Sequence, residues 1–145
     1  MKFLTPIIFS ISLAVAPVFA NETVKSKGPL IKEAAEISLT DFLWTHRPII
    51  VLADSPDDPR FIKQMSLLRA DLSELAERDA IILTDTHPSL KSPLREQLRP
   101  RGFMLVLIGK DGGVKLRKPS PWNVREISRV IDKMPMRRQE MNDGG

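Results

Sequence analysis

The 145-residue chain has no cysteine and only two histidines, His46 and His87. The missing sulfur excludes disulfides, dithiol redox chemistry and a thiolate nucleophile, because in each of these the sulfur is itself the reacting atom. An exported chain without disulfides must be held by its core alone. Beyond the first twenty residues there is no membrane-length apolar run, no internal repeat and no low-complexity stretch. No Gly-x-Ser-x-Gly elbow is present, so a triad assembled from Ser55, His87 and Asp85 lacks the turn that presents a nucleophile. "DSPDD", residues 54–58, lacks the alternating ligands and the glycine of a calcium loop. Met134, Met136 and Met141 are too sparse for a copper site and read as gap fillers, while Trp44 and Trp122 read as packing at the core edge.

What is present starts with "MKFLTPIIFSISLAVAPVFA". Lys2, the apolar stretch after it and the small residues Val18 and Ala20 have the form of an export signal. Its apolar stretch is interrupted by polar residues and prolines, and is short for a membrane span of about 20 apolar residues. The expected organisation is a signal peptide at 1–20, a flexible arm at 21–37, one domain at 38–135 and a polar tail at 136–145. A periplasmic or secreted location follows. Cleavage leaves 125 residues, a size that suits one domain. Charge is uneven: residues 21–89 carry a net −4 and residues 90–145 a net +7. Such asymmetry suits an anionic partner, though spread charge also serves solubility.

The periodicities predict alternating strands and helices. "IIVLA" (49–53) and "AIILTD" (80–85) are apolar on consecutive positions, as in parallel strands buried on both faces. Between them Asp58 and Pro59 read as the N-cap and first position of a helix. Phe61, Met65, Leu68, Leu72 and Leu75 then form a stripe running to about Arg78. Ser92-Pro93 opens a short helix. "FMLVLIGKDGGVKLR" (103–117) reads as a hairpin turning on Asp-Gly. Ser120-Pro121 is expected to cap a last helix, with Val124, Ile127, Ile131 and Met134 on its inner face and Pro135 as its stop. A βαβ unit followed by a ββα unit predicts a thioredoxin-like α/β fold, with a four-stranded mixed sheet flanked by helices.

"RPIIVLA", "ERDAIILTD", "FMLVLIGKDGGVKLR" and "VIDKMPMRRQEM" together resemble a bacterial family of domains of unknown function. Its relatives include the C-terminal domains of sushi-repeat-containing extracellular proteins and of the DRO/URB/equarin matrix proteins. The resemblance spans about residues 38–141 and implies an exported domain of thioredoxin or peroxiredoxin type, with an adhesion or matrix role. In thioredoxins and peroxiredoxins the reactive cysteine sits where the first buried strand turns into its helix. Here that junction is Asp54-Ser55-Pro56-Asp57-Asp58-Pro59. The resemblance carries over no catalytic residue.

In such a fold Asp54, Asp57, Asp58, Asp85, His87 and Arg101 would share the carboxyl edge of the strands, where open α/β sheets bind ligands. These six form the candidate ligand-binding edge. Read structurally, Asp57 and Asp58 cap a helix and Arg101 pairs with Asp85. A second candidate set, for anions, is Lys115, Arg117, Lys118, Arg137 and Arg138. The functional expectation is a cysteine-less binding module without redox activity, cofactor or catalytic residues. Its expected partner is another protein or an anionic envelope or matrix component. Nucleic acid is not expected, because the basic residues lack interleaved aromatics. Two alternatives remain: an enzyme or metal protein using the carboxylate and histidine edge, and a polyanion binder using the basic C-terminal half.

The mature N-terminus is expected at Asn21. N-terminal sequencing or intact mass of the secreted form checks this, and a secreted chain that retains Met1 overturns it.

Overall fold

The computed structural model describes residues 30–145; the expected signal at 1–20 and most of the arm lie outside the described residues. The sheet grows from the apolar runs. In β2 (Arg47–Leu52) and β3 (Ala80–Asp85) neighbouring side chains point to opposite faces. Ile49, Val51 and Ile82 therefore enter one core, while Ile50, Leu52, Ile81 and Leu83 enter another. β4 (Met104–Ile108) divides in the same way, Leu105 and Leu107 against Val106 and Ile108. Each fully buried side chain of this kind contributes about 1.5–3 kcal/mol, so both faces must be covered.

On the first face lie α1 (Pro59–Arg69), α2 (Leu72–Glu77) and α4 (Val124–Asp132), which supply Met65, Leu68, Leu75, Val124, Ile127 and Ile131. On the second, α3 (Pro93–Leu98) and a 3-10 turn at Leu39–Phe42 supply Leu94, Leu98, Leu39 and Phe42. β5 (Val114–Lys118) closes a hairpin with β4. Gly112 sits in its turn at φ +81°, a conformation that side chains rarely adopt. The result is the α/β sandwich expected, with β2 parallel to β3 and antiparallel to β4.

The sheet has five strands rather than four, in the order β1-β3-β2-β4-β5. The extra strand is β1, Ile31–Glu33, from the segment expected to be an arm; it pairs parallel to β3. Three residues are too few to show an alternating pattern, and the open backbone groups of β3 recruit them. The expected long helix breaks at Ala70-Asp71 into α1 and α2, yet Leu68 and Leu75 on either side of the break are both buried. Asn123 rather than Ser120 caps α4, its Oδ1 accepting from Glu126 N at 2.9 Å. The segment before it is held by Gln64, which donates to Trp122 O at 2.8 Å and accepts from Trp122 N at 2.9 Å. Trp122 packs at the core edge as expected, whereas Trp44 is exposed and takes φ 65°. Among the described residues, no helix is long and apolar enough to cross a membrane.

Pro135 does not merely end α4. It starts α5 (Pro135–Asp143), which occupies most of the expected tail and has no buried residue. Its anchor is electrostatic. Arg47, fully buried at the first position of β2, donates Nη2 to Glu140 Oε1 at 2.9 Å and Nη1 to Glu140 Oε2 at 3.2 Å. Nη1 also donates to Arg78 O at 2.9 Å. Lys110 in the hairpin turn contacts Glu140 at 2.7 Å and Asp79 at 2.9 Å. Arg137 reaches Asp132 at 3.4 Å, and Asp132 also pairs with Arg78 at 2.9 Å.

Burial pushes the Glu140 carboxyl up, but Arg47 and Lys110 outweigh it and hold the group at about 2, against 4.5 ordinarily. A carboxylate so depressed stabilises the fold fully above its unfolded value and loses that contribution as pH falls through the folded value. Glu140→Gln is expected to cost about 2–4 kcal/mol at pH 7, because it leaves the buried Arg47 charge uncompensated. The difference from the parent should shrink from about pH 4.5 down to about 2. Urea unfolding of both proteins across that range checks it.

Candidate functional site

The carboxyl ends of β2 and β3 lie side by side, Leu52 opposite Asp85. Asp85 is buried and accepts from three donors. Ser92 Oγ donates to its Oδ2; Arg95 Nε (2.9 Å) and His87 N (3.1 Å) donate to its Oδ1. Arg95 Nη2 also donates to Ala53 O at 2.5 Å and Asp85 O at 3.0 Å, satisfying backbone carbonyls at the strand ends. Ser92 N-caps α3, accepting from Arg95 N at 3.3 Å. Burial pushes the Asp85 carboxyl up, but Ser92, Arg95 and the His87 N–H together hold it below the usual carboxylate range. This is a closed clasp with its acceptor sites in use.

The expected partner of Asp85 was Arg101. The structure corrects this: Arg101 stays exposed, and Arg95 takes the role. A turn of α3 aims Arg95 back at the strand ends, whereas Arg101 follows the helix on the way to β4. Ser92 and Arg95 were missed as site residues; their sequence signal is Ser-Pro-x-Arg at a helix start, which puts the cap and the guanidinium on one turn.

At the start of α1, Asp58 is the N-cap as expected. Its Oδ1 accepts from Arg60 N at 2.8 Å, and its Oδ2 pairs with Arg60 Nη2 at 3.1 Å. The Arg60 side chain, and then its backbone N–H, hold the Asp58 carboxyl below the usual range. Asp54 is exposed and contributes to the field around Arg60. Asp57 is exposed, its backbone N–H donating to Ser55 Oγ at 3.1 Å. His87 is also exposed, and its Nδ1 lies 3.4 Å from Thr86 Oγ1. An open cleft of about 270 Å³ runs along this edge past Glu33, Asp85, Thr86 and His87. Among the described residues no three histidine, aspartate or glutamate side chains converge as a metal would need.

The expected anion set also divides. Lys115, Arg117 and Lys118 lie on β5, and Arg137 and Arg138 on α5. Lys115 pairs with Asp111 at 2.9 Å, Arg117 donates to Leu98 O at 2.5 Å, and the Lys118 ammonium sits 4.6 Å from the Trp122 ring centroid. Arg137 is bound into the α5 anchor, while Arg138 is exposed.

Residues 38–140 match the family described as Domain of unknown function (DUF4174). The chain belongs to this family. The DUF4174 match takes in the Asp85 clasp and the anchor residues Arg47, Arg78, Lys110, Asp132 and Glu140. Coiled-coil domain-containing protein 80 of Danio rerio is 50% identical over 46 residues, a match covering 31% of this chain and 5% of that protein. Among solved structures, the reduced 2-Cys peroxiredoxin of Plasmodium vivax is similar with a TM-score of 0.54 and 17% identity, over 72% of this chain and 85% of that one. Thioredoxin peroxidase I of Plasmodium yoelii gives 0.50 and 19%, over 71% and 80%. The DUF4174 chain thus has a thioredoxin-like fold of the peroxiredoxin kind and no cysteine with which to perform peroxiredoxin chemistry.

Asp85→Ala is expected to destabilise the domain by about 3 kcal/mol, because the largely buried Arg95 side chain is left without its counter-charge. Arg101→Ala should be neutral, and Asp58→Ala should lower the melting temperature through the lost cap. Thermal melts of the three variants check the assignment. An Arg101 variant as unstable as the Asp85 variant overturns it.

Proposed function

We propose that this DUF4174 chain is an exported binding module, a thioredoxin-like scaffold kept for its shape after thiol chemistry was lost. The observation that carries this reading is the start of α1. Where related folds hold a reactive cysteine, this chain has a helix cap, Asp58, locked to Arg60. Nearby, the buried Asp85 carboxylate accepts from Ser92, Arg95 and the His87 backbone N–H, so that base is held in structural bonds. A general base must be within hydrogen-bond reach of a substrate proton and have a lone pair to receive it.

The export signal read at residues 1–20 and the resemblance to extracellular matrix domains support action in the periplasm or outside the cell. The partner is another protein or an anionic envelope or matrix component, met at the surface rather than in a deep catalytic pocket. The exposed cations Arg125 and Arg129 on α4 and Lys133 at its C-cap, spaced four residues apart, favour the anionic case.

Purified protein is expected to leave the rates of insulin reduction by dithiothreitol and of peroxide consumption at background. Immobilised on a surface, it should retain an envelope component saturably, in competition with free protein and regardless of reductant. A peroxide or insulin rate proportional to protein concentration overturns the reading, as does retention that free protein does not compete.

A further inference from the structure

The sheet ends in two edge strands, β1 and β5, each paired with one neighbour only. β1 has three residues, too few to offer a ladder of any length. β5 has five, all of them exposed or half-buried. Among the described residues nothing pairs with its outer side, so alternate N–H and C=O groups there face solvent.

The charges beside this edge are uncompensated. Lys115 is set aside, because Asp111 pairs with it at 2.9 Å. Arg117 donates Nη2 to Leu98 O at 2.5 Å, and a carbonyl satisfies a hydrogen bond without cancelling a charge. That contact also brings the guanidinium to the peptide leading into Arg99, which is exposed. Lys118 rests 4.6 Å from the Trp122 ring centroid. The exposed Arg101 precedes β4, whose Leu105 lies opposite Lys118. Among the described residues none of these four cations pairs with a carboxylate. The two faces of β5 also differ. Leu116 lies opposite Leu107 and packs against the first core, while Arg117 lies opposite Val106 on the other face.

We propose that β5 accepts an extended segment of a partner protein in which acidic and apolar residues alternate. Backbone hydrogen bonds add the segment to the sheet edge as a further strand. Its apolar side chains then lie beside Leu116 and its carboxylates beside Arg117 and Arg99, as the alternation of a strand requires. Basic residues on an edge guard it against a second copy of itself, because like charges would meet. A strand of opposite sign turns that repulsion into attraction. A polyanion without a peptide backbone answers the charges but offers no ladder to the outer groups of β5. The inference rests on the binding-module reading and names the surface and the chemistry of the partner.

The test titrates the ¹⁵N-labelled full chain with a short peptide alternating valine and glutamate, and follows amide hydrogen exchange at 114–118. Saturable binding is expected, with exchange slowed at alternate amides of β5. N-methylation of alternate peptide residues keeps the charge but removes ladder donors, and is expected to weaken binding by more than about tenfold. The double variant Arg99→Gln, Arg117→Gln is expected to weaken it about tenfold through two lost cross-strand charge pairs. If that variant does not fold, the N-methylated peptide alone decides. Absence of binding, or equal affinity for the N-methylated peptide, overturns the proposal. So does equal slowing of the β5 amides by dextran sulfate, which makes a bare polyanion the occupant. Protection of those amides that rises with protein concentration and needs no peptide makes a second copy the occupant and overturns it as well. Saturable retention of an envelope component by immobilised protein is measured separately, so the edge can fail while the binding-module reading stands.

Discussion

The structure depends first on a buried arginine. Arg47 opens the central strand with no solvent exposure, and an ion so placed is tolerated only if charge and hydrogen bonds compensate it. The compensation comes from Glu140, 93 residues later in sequence. This one pairing explains why α5 is folded onto the domain although it buries no residue of its own. It also recruits Lys110 from the hairpin turn and, through Arg78 and Arg137, joins β2, α2, α4 and α5 into one network. Apolar burial would not specify how a polar helix docks; complementary charges at fixed positions do.

The opposite end of the sheet is closed by the same kind of physics on a smaller scale. Asp85, Ser92 and Arg95 tie the carboxyl ends of β2 and β3 to the first turn of α3. Open α/β sheets place ligands at this edge, where strand carbonyls and helix N-termini leave unsatisfied groups. Here a guanidinium answers the carbonyls and a serine caps the helix. Beside them, Asp58 caps α1 and pairs with Arg60 where β2 leads into that helix.

Much of the fold was legible because its signals are local. Ile49 to Ala53 and Ala80 to Leu83 alternate between two cores, as unbroken apolar runs require. The Asp58-Pro59 helix start and the Gly112 turn follow from the conformations that proline and glycine favour or permit. β1 was illegible because three residues carry no period. The break at Ala70-Asp71 was hidden because the apolar stripe runs straight across it. At the site, the roles of Asp58 and Asp85 as structural groups were foreseeable, but Arg101 stood in for Arg95. Both arginines lie near β4 in sequence, and only the packing of α3 turns one of them toward Asp85.

The sequence by itself determined two things: a sheet covered on both faces, and the impossibility of thiol chemistry. Burial follows from side-chain composition at each position, and no arrangement of the chain can supply an absent sulfur. The tertiary structure alone decided which charges meet. Ion pairs such as Arg47 with Glu140 or Arg78 with Asp132 have no sequence period, and each basic residue had several acidic candidates. The choice among them was made by the packed apolar layers, which bring distant backbone positions within the few ångströms over which a desolvated charge must find its counter-ion.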